Sequence, residues 1–414
     1  MDLIIFSMIT LAIIMPNTNP VPSVRGGAIQ TGVQHLVEQN EVFRDLDLIV
    51  VSPWDEVAEK KSSDYKSTRF VFIQTKKRLP KRLRQLFNSV ARRMKLPFFL
   101  NPDKEYLDQA IKELPVGNDL DFIMVRNEFL FSKQLRQKKS NSKLLFSLHN
   151  DFFHKKNPFA LRACKCFDEI FVVSSYIKKR VLDLAPHAES SVHVLKNAVD
   201  LSVFRHKKVS SHRCLKKYAE SGPEIKGTVF LFVGRVVPEK GVEELIEAFR
   251  MLRKEKPVSL VICGGKGFLG TDNRDYQTYL ENRFPGFLDE VIFLGYVPHD
   301  AVHNIYSECD IVVVPSLVEE AAGRVVIEAQ ASGKPVIYSD AGGISDYAGE
   351  ASSIKVCRGT GFVQGLYSAM RRLEGDEMLR KRMGERAAAH AEGFDVVRYY
   401  KKFVKSLLDM KERA

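Results

Sequence analysis

The sequence predicts an α/β protein built from two doubly wound, mainly parallel sheets, and three observations carry that prediction. At 414 residues the chain is too long for one ordinary core, since domains run to roughly 100–200 residues. Short apolar runs alternate with stretches of helical periodicity from one end to the other. A basic and polar segment from Leu201 to Gly227, containing Pro223, interrupts that alternation, which then begins afresh. Short buried strands separated by helices make a parallel sheet covered on both faces.

In chain order, the first half offers strands at Ile9–Met15, Leu46–Ser52, Arg69–Ile73, Phe122–Val125, Leu144–His149, Glu169–Val173 and Val192–Leu195. Helical spacing fills Gly32–Gln39 and Leu107–Leu114 between them. The apolar run Leu3–Met15 is too short to span a bilayer, has acidic Asp2 and no basic residue ahead of it, and stops at Pro16. It reads as a buried strand preceded by a short leader. The second half gives strands at Gly227–Val233, Val258–Cys263, Val291–Leu294, Ile311–Pro315 and Pro335–Tyr338. Gly241–Lys254 is helical, with Leu245, Ala248, Phe249 and Leu252 on one stripe, and a glycine-rich turn, Gly264–Gly267, follows the second strand. Phe394–Met410 is amphipathic, with Phe394, Val397, Tyr400, Val404 and Leu407–Leu408 on one side. These elements place an N-terminal domain at 1–205 and a C-terminal domain at 206–393. The helix at 394–414 is expected to pack back on the first, and ligands to lie in a cleft at the carboxyl ends of the strands.

Composition narrows the function classes. Hydrophobic residues at 45% and charged residues at 28% exclude a disordered or collagen-like chain. Six cysteines without a Cys-x-x-Cys pair exclude a disulfide scaffold and argue against a structural zinc site. The net charge of +12 is local: the window Lys60–Lys95 holds 13 basic residues and one acid, Asp64. Within it Leu83, Leu86, Phe87, Val90 and Met94 recur at helical spacing among arginines and lysines. A basic amphipathic helix of this kind suits an anionic membrane surface, or else packs on the sheet and leaves a solvated basic face. No stacking motif or recognition fold accompanies the charge, so nucleic acid is not an expected partner.

The densest chemistry lies between Val314 and Val336. A strand ends at Pro315, a loop carries Glu319 and Glu320, and Gly323 opens a helix that contains Arg324 and Glu328. The helix start offers backbone N–H groups to an anion, while the carboxylates accept hydroxyl hydrogen bonds. Together they fit a sugar nucleotide. Arg235 and Lys240 follow a strand and precede a helix, where cations meet a diphosphate. Gly26 and Gly27 follow the first strand and let backbone approach a ligand. His149 ends a strand; Ser174 follows another; Arg126 and Asn127 follow Phe122–Val125 and could meet an acceptor.

The ordered set resembles the family 4 glycosyltransferases, retaining enzymes of the GT-B fold with two Rossmann-like domains. Their Glu-x7-Glu pair is matched by Glu320 and Glu328, and the following small-residue run by Ala329, Ala331, Gly333, Pro335 and Val336. Pro20–Ile29, Asn197-Ala-Val-Asp200, Phe232–Gly241 and Asp340–Ile344 resemble further family segments in the same order. The segment Pro20–Gln30, with Ser147-Leu-His149-Asn150, is most similar to the bacterial spore coat protein SA subgroup. Two departures stand out: Ala322 occupies a usual phenylalanine position, and Ala198 a usual glycine one, where a positive φ would strain it.

What the resemblance implies is a transferase taking a sugar from a nucleotide diphosphate donor, with UDP-sugar first choice, to a glycan or lipid-linked acceptor in cell-surface polysaccharide or spore coat biosynthesis. Glu328 would hold the ribose, Arg235 and Lys240 the diphosphate, and Glu320 and His149 the sugar. Gly26, Gly27, Ala322, Gly323 and Arg324 would line the donor; Arg126, Asn127 and Ser174 the acceptor. No cofactor or metal is implied. The expected location is cytoplasmic, peripheral on the inner membrane face. Two other readings stay open: a UDP-N-acetylhexosamine 2-epimerase of the same architecture, and a non-catalytic coat or assembly protein.

Overall fold

A computed structural model describes residues 8–75, 103–115, 120–154, 157, 159–205, 212–219, 223–265 and 274–413. Most of the basic window, with its apolar stripe, therefore lies outside the described residues, as do the leader and Lys266–Gly267 of the glycine-rich turn. Of that window, Lys60, Lys61, Lys66 and Arg69 are described and exposed.

Seven strands form the first sheet: β1 (Ile9–Ile14), β2 (Leu46–Pro53), β3 (Thr68–Ile73), β4 (Phe122–Arg126), β5 (Lys143–Leu148), β6 (Glu169–Val172) and β7 (Val192–Val194). Their spatial order is β3-β2-β1-β4-β5-β6-β7, parallel throughout. Six form the second: β8 (Thr228–Val233), β9 (Val258–Cys263), β10 (Val291–Gly295), β11 (Ile311–Val314), β12 (Val336–Ser339) and β13 (Ser353–Val356). Their order is β10-β9-β8-β11-β12-β13, again all parallel. Strands such as β4, β9 and β12 are buried along their whole length, as helices on both faces require.

In each sheet the chain winds outward for three strands and returns to the other side of the first. That creates a switch point between β1 and β4, and another between β8 and β11. Loops leaving the carboxyl ends of those strands diverge, and the gap they leave is where such sheets take ligands.

The chain divides into two units. The first comprises Met1–Val173, Ile177–Leu195 and Tyr400–Ala414; the second comprises Ser174–Tyr176 and Lys196–Tyr399. The core of the second unit has two parts, one on each face of its sheet. Leu245, Ile246, Phe249 and Leu252 of the helix Val242–Arg253 fill one part with Leu366 and Met370. Tyr306, Val326, Ile327 and Tyr347 fill the other, which also takes in Leu201 and Phe204. Ala198 is absent from the residues with positive φ, so the alanine carries no backbone strain there.

The helix Val396–Glu412 buries Val396, Tyr400, Phe403, Leu407 and Met410. From Tyr400 onward it belongs to the first unit, where the Tyr400 hydroxyl donates to Asn40 Oδ1 at 2.8 Å and its ring stacks on Phe43. Lys411 pairs with Asp121 at 2.8 Å on the same unit. Among the described residues no helix is long and apolar enough to cross a membrane.

Candidate functional site

The loop after β8 carries Arg235 and Lys240 and ends at Gly241, with φ of 70°, which opens the helix Val242–Arg253. Glycine is required there twice over. The left-handed backbone disfavours a side chain, and a Cβ would stand 2.0 Å from the Pro315 carbonyl oxygen. This approach lays the Lys240 corner against the end of β11, and Leu317 N–H donates to the Glu239 carbonyl at 2.9 Å. Lys240 Nζ consequently pairs with Glu320 Oε1, which also accepts from Ser316 Oγ at 2.7 Å. The groups assigned to diphosphate and sugar are thus ion-paired with one another. Arg235 is half-buried in the same loop.

Three devices hold the acidic loop. The turn at Gly342–Gly343 lies under it, with Gly343 N–H donating to the Glu320 carbonyl at 2.7 Å. A Cβ on Gly343 would stand 2.4 Å from the Ala321 carbonyl oxygen, so the loop fits only over bare backbone. Ser174, fully buried, donates from Oγ to the Ala321 carbonyl at 2.6 Å. Its hydroxyl is spent on the loop, and it is counted in the second unit. Arg358 reaches Glu319 at 2.7 Å, Asp340 Oδ1 at 3.0 Å and the Leu317 carbonyl at 2.9 Å. Half-buried Ala322 packs against the core below.

Gly323 then starts the helix Arg324–Ala331 without a side-chain cap, which leaves the first-turn amides for an anion. Glu328, one turn in, is only 6% exposed. Tyr306 donates to its Oε2 at 3.0 Å, Arg324 reaches Oε1 at 3.4 Å, and His299 stands 3.8 Å away. Burial pushes the carboxyl up, but His299, Arg324 and Tyr306 outweigh burial and hold it below the usual range. A buried carboxylate already ionised is an acceptor waiting for hydroxyls. Nearby Cys263 is pushed up to about 12 by burial and by the Glu328 charge, so its thiol stays protonated and unreactive.

On the first unit, Gly26 and Gly27 have φ of 68° and 110°, and Gly27 starts the helix Ala28–Phe43 without a side-chain cap. Asn127 is itself left-handed, with φ of 56°, which asparagine tolerates. Its Oδ1 accepts from His149 N–H at 2.6 Å. His149 Nε2 lies 2.8 Å from Arg126 Nη1 and 2.9 Å from Ser147 Oγ. Arg126 is 1% exposed, so it is a buried neighbour of His149 and not an exposed contact.

The residues predicted from sequence therefore gather at two switch points. Gly26, Gly27, Arg126 and Asn127 flank β1 and β4, with His149 one strand further; Arg235, Lys240, Glu320 and Gly323 flank β8 and β11. Tyr306, His299 and Arg358 were not foreseen. Tyr306 reads as a core aromatic on a short helix, and the other two as loop charges. Among the described residues no group of three or more His, Cys, Asp or Glu could hold a metal ion. The sequence does contain two Asp-x-Asp spacings, Asp45–Asp47 and Asp119–Asp121. Asp45 and Asp47 straddle the start of β2 and Asp121 precedes β4, at the strand ends opposite the switch-point loops, and Asp121 is engaged by Thr10 and Lys411; Asp119 lies outside the described residues. A cavity of about 460 Å³ lies elsewhere, between β3 and the helix Lys104–Glu113, and none of the candidate residues lines it.

Comparison with known proteins agrees with this chemistry. Residues 216–390 match the family described as "Glycosyl transferases group 1". The chain is 30% identical over 397 residues to "Putative glycosyltransferase YtcC" of Bacillus subtilis (strain 168), covering 92% of this chain and 87% of that one. It is 24% identical over 339 residues to "Spore coat protein SA" of the same organism, covering 80% and 81%. Among solved structures it is similar to Anabaena Alr3699/HepE in complex with UDP and glucose, with a TM-score of 0.70, 19% identity and coverage of 96% and 99%.

Proposed function

The chain belongs to the group 1 glycosyl transferases, with a GT-B fold of two Rossmann-like domains, and from that premise we propose a retaining transferase that uses a UDP-sugar and a hydroxyl acceptor on a glycan or lipid-linked glycan. The observation that carries the donor reading is the cluster on the second unit. Arg235 and Lys240 share the loop after β8, Lys240 reaches the acidic loop at Glu320, and the uncapped helix that follows carries a buried, ionised carboxylate, Glu328. A nucleotide diphosphate needs this combination: an acceptor for the ribose diol and positive charge for the phosphates. UDP is favoured because the solved relative Alr3699/HepE was crystallised with it.

In this reading Glu328 holds the ribose, and Arg235, Lys240 and the amides after Gly323 hold the diphosphate. Donor binding exchanges Lys240 from Glu320 to phosphate, which frees Glu320 to accept a sugar hydroxyl. The bond between the anomeric carbon and the diphosphate oxygen breaks. The acceptor oxygen bonds to that carbon on the same face, and its proton passes to the departing phosphate. Charge accumulating on the diphosphate is stabilised by Arg235 and Lys240. We assign no metal to this work. On the first unit, Gly26–Gly27 and His149 are assigned to the sugar, and a site on the cytoplasmic membrane face fits the lipid-linked acceptor.

Purified protein offered a panel of nucleotide sugars tests this reading. The expected result is binding and slow hydrolysis of a UDP-sugar, transfer once acceptor is added, and full activity in EDTA. No binding to any uridine nucleotide, or loss in EDTA restored by manganese, would overturn the corresponding assignment. A new UDP-N-acetylhexosamine formed without acceptor would favour the epimerase reading instead.

A further inference from the structure

We propose that Arg126 is the positioning residue that fixes the ring of His149 as the Nδ1–H tautomer, so that Nδ1 is the nitrogen that donates to a sugar oxygen. This deepens the reading above and rests on it for the sugar, but the tautomer itself follows from the protein alone.

The placement begins in the sheet. Arg126 closes β4, and its register partner across the ladder is Ser147 of β5. Register partners in a parallel pair point to the same face, and side chains two apart on one strand share a face. Arg126, Ser147 and His149 therefore stand on one side of the sheet, at its carboxyl edge. One nitrogen, Arg126 Nη1, serves both neighbours: it donates to Ser147 Oγ at 2.7 Å and meets His149 Nε2 at 2.8 Å. A guanidinium has donors and no acceptor. The facing ring nitrogen must then be the acceptor, and the imidazole proton lies on Nδ1. Ser147 Oγ, which accepts from Arg126, lies 2.9 Å from the same Nε2, so this is the ring nitrogen turned into the cluster. From the backbone side, His149 N–H is anchored on Asn127 Oδ1 at 2.6 Å.

Stability does not account for the arginine. It is 1% exposed, and its Nε and Nη2 have no hydrogen-bond partner. No carboxylate among the described residues pairs with it. A buried cation with unmet donors opposes folding, and an apolar side chain of similar length would fit the same place at less cost. A group kept against stability at the edge of a ligand-binding sheet is kept for what it does to its neighbour.

The test uses the full chain labelled with ¹⁵N-histidine, with the His149 ring signals identified by their loss in H149N. The parent is expected to show a protonated Nδ1 and an unprotonated Nε2 at neutral pH. R126M should shift that signal toward the other tautomer, keep or raise the unfolding midpoint, and lower kcat for transfer by roughly ten- to a hundredfold. UDP affinity should be unchanged, because that site is assigned to the second unit. R126K, which keeps a donor, should restore part of both the tautomer and the rate. A parent His149 protonated on Nε2, or an R126M variant with unchanged ring signals and rate, would overturn the proposal. If R126M fails to fold, the parent spectrum and R126K still decide it. The ring spectrum needs no substrate, so failure of the sugar-transfer reading alone leaves this result distinguishable.

Discussion

Glu328 shows how far a single side chain can be read from sequence. Its place on a helix was legible because a strand, an acidic loop and the helix opened by Gly323 follow one another between Val314 and Val336. Its surroundings were not, because Tyr306 and His299 come from earlier segments and carry no local pattern. Those neighbours set its behaviour with pH. The folded-state carboxyl is held below its ordinary value of 4.5, so its contribution to stability is present above 4.5 and is lost as pH falls through the lower folded value. Affinity for UDP-glucose, whose diphosphate does not titrate in this range, should therefore stay level from pH 7 down to the ordinary carboxylate range and fall only below it. Glu328→Gln keeps the volume but removes the charge. A charged hydrogen-bond partner is worth about 1.5–3 kcal/mol, so calorimetry should show nucleotide affinity reduced by roughly ten- to a hundredfold. Unchanged affinity would move the ribose site elsewhere.

The strands and helices were largely legible as elements, because buried strands in a parallel sheet are short apolar runs and amphipathic helices repeat at three and four. Boundaries agree to within a residue or so for strands from β1 to β12. The strand that escaped, β13, is Ser-Ile-Lys-Val at the sheet edge, half-exposed and half polar, so nothing in its pattern separates it from a loop. The acidic loop depends on a long-range clamp of the same hidden kind. Arg358 ties Glu319, the Leu317 carbonyl and Asp340 together from a segment some forty residues on. Its ion pairs are partly exposed, and such pairs contribute about 0–1 kcal/mol. Arg358→Gln should accordingly leave the unfolding midpoint almost unchanged while lowering kcat/KM for transfer about tenfold, since misplaced groups cost rate steeply. A matched loss of stability and activity would mean that the clamp serves the fold and not the loop.

At the scale of the whole molecule, the excess positive charge is concentrated in one window of the sequence. Lys60–Lys95 carries the excess positive charge, and at about 1 kcal/mol per basic residue near an anionic surface a few contacts suffice for reversible docking. Replacing Arg82, Arg84, Arg92 and Arg93 with Gln should release the protein from phosphatidylserine vesicles and leave UDP binding intact; persistent vesicle binding would mark the window as a solvated face. The other long-range feature is the return of the C-terminal helix to the first unit. Leu407 is wholly buried there, and Leu407→Ala should cost about 2–5 kcal/mol. Hydrogen exchange should quicken in peptides from 28–53 and keep its protection in those from 228–263. Uniform loss of protection would show that the helix steadies both units alike.

That return has a consequence for how the protein is made. The ribosome delivers the first sheet early, yet the side chains that cover Asn40 and Phe43 arrive only with Tyr400, after the entire second unit. At about 5–20 residues per second, the nascent first unit waits roughly 10–40 s with an apolar flank uncovered. Translation speed across the second half, and chaperones that shield the emerging chain, should therefore govern the yield of active protein more strongly than the final stability does.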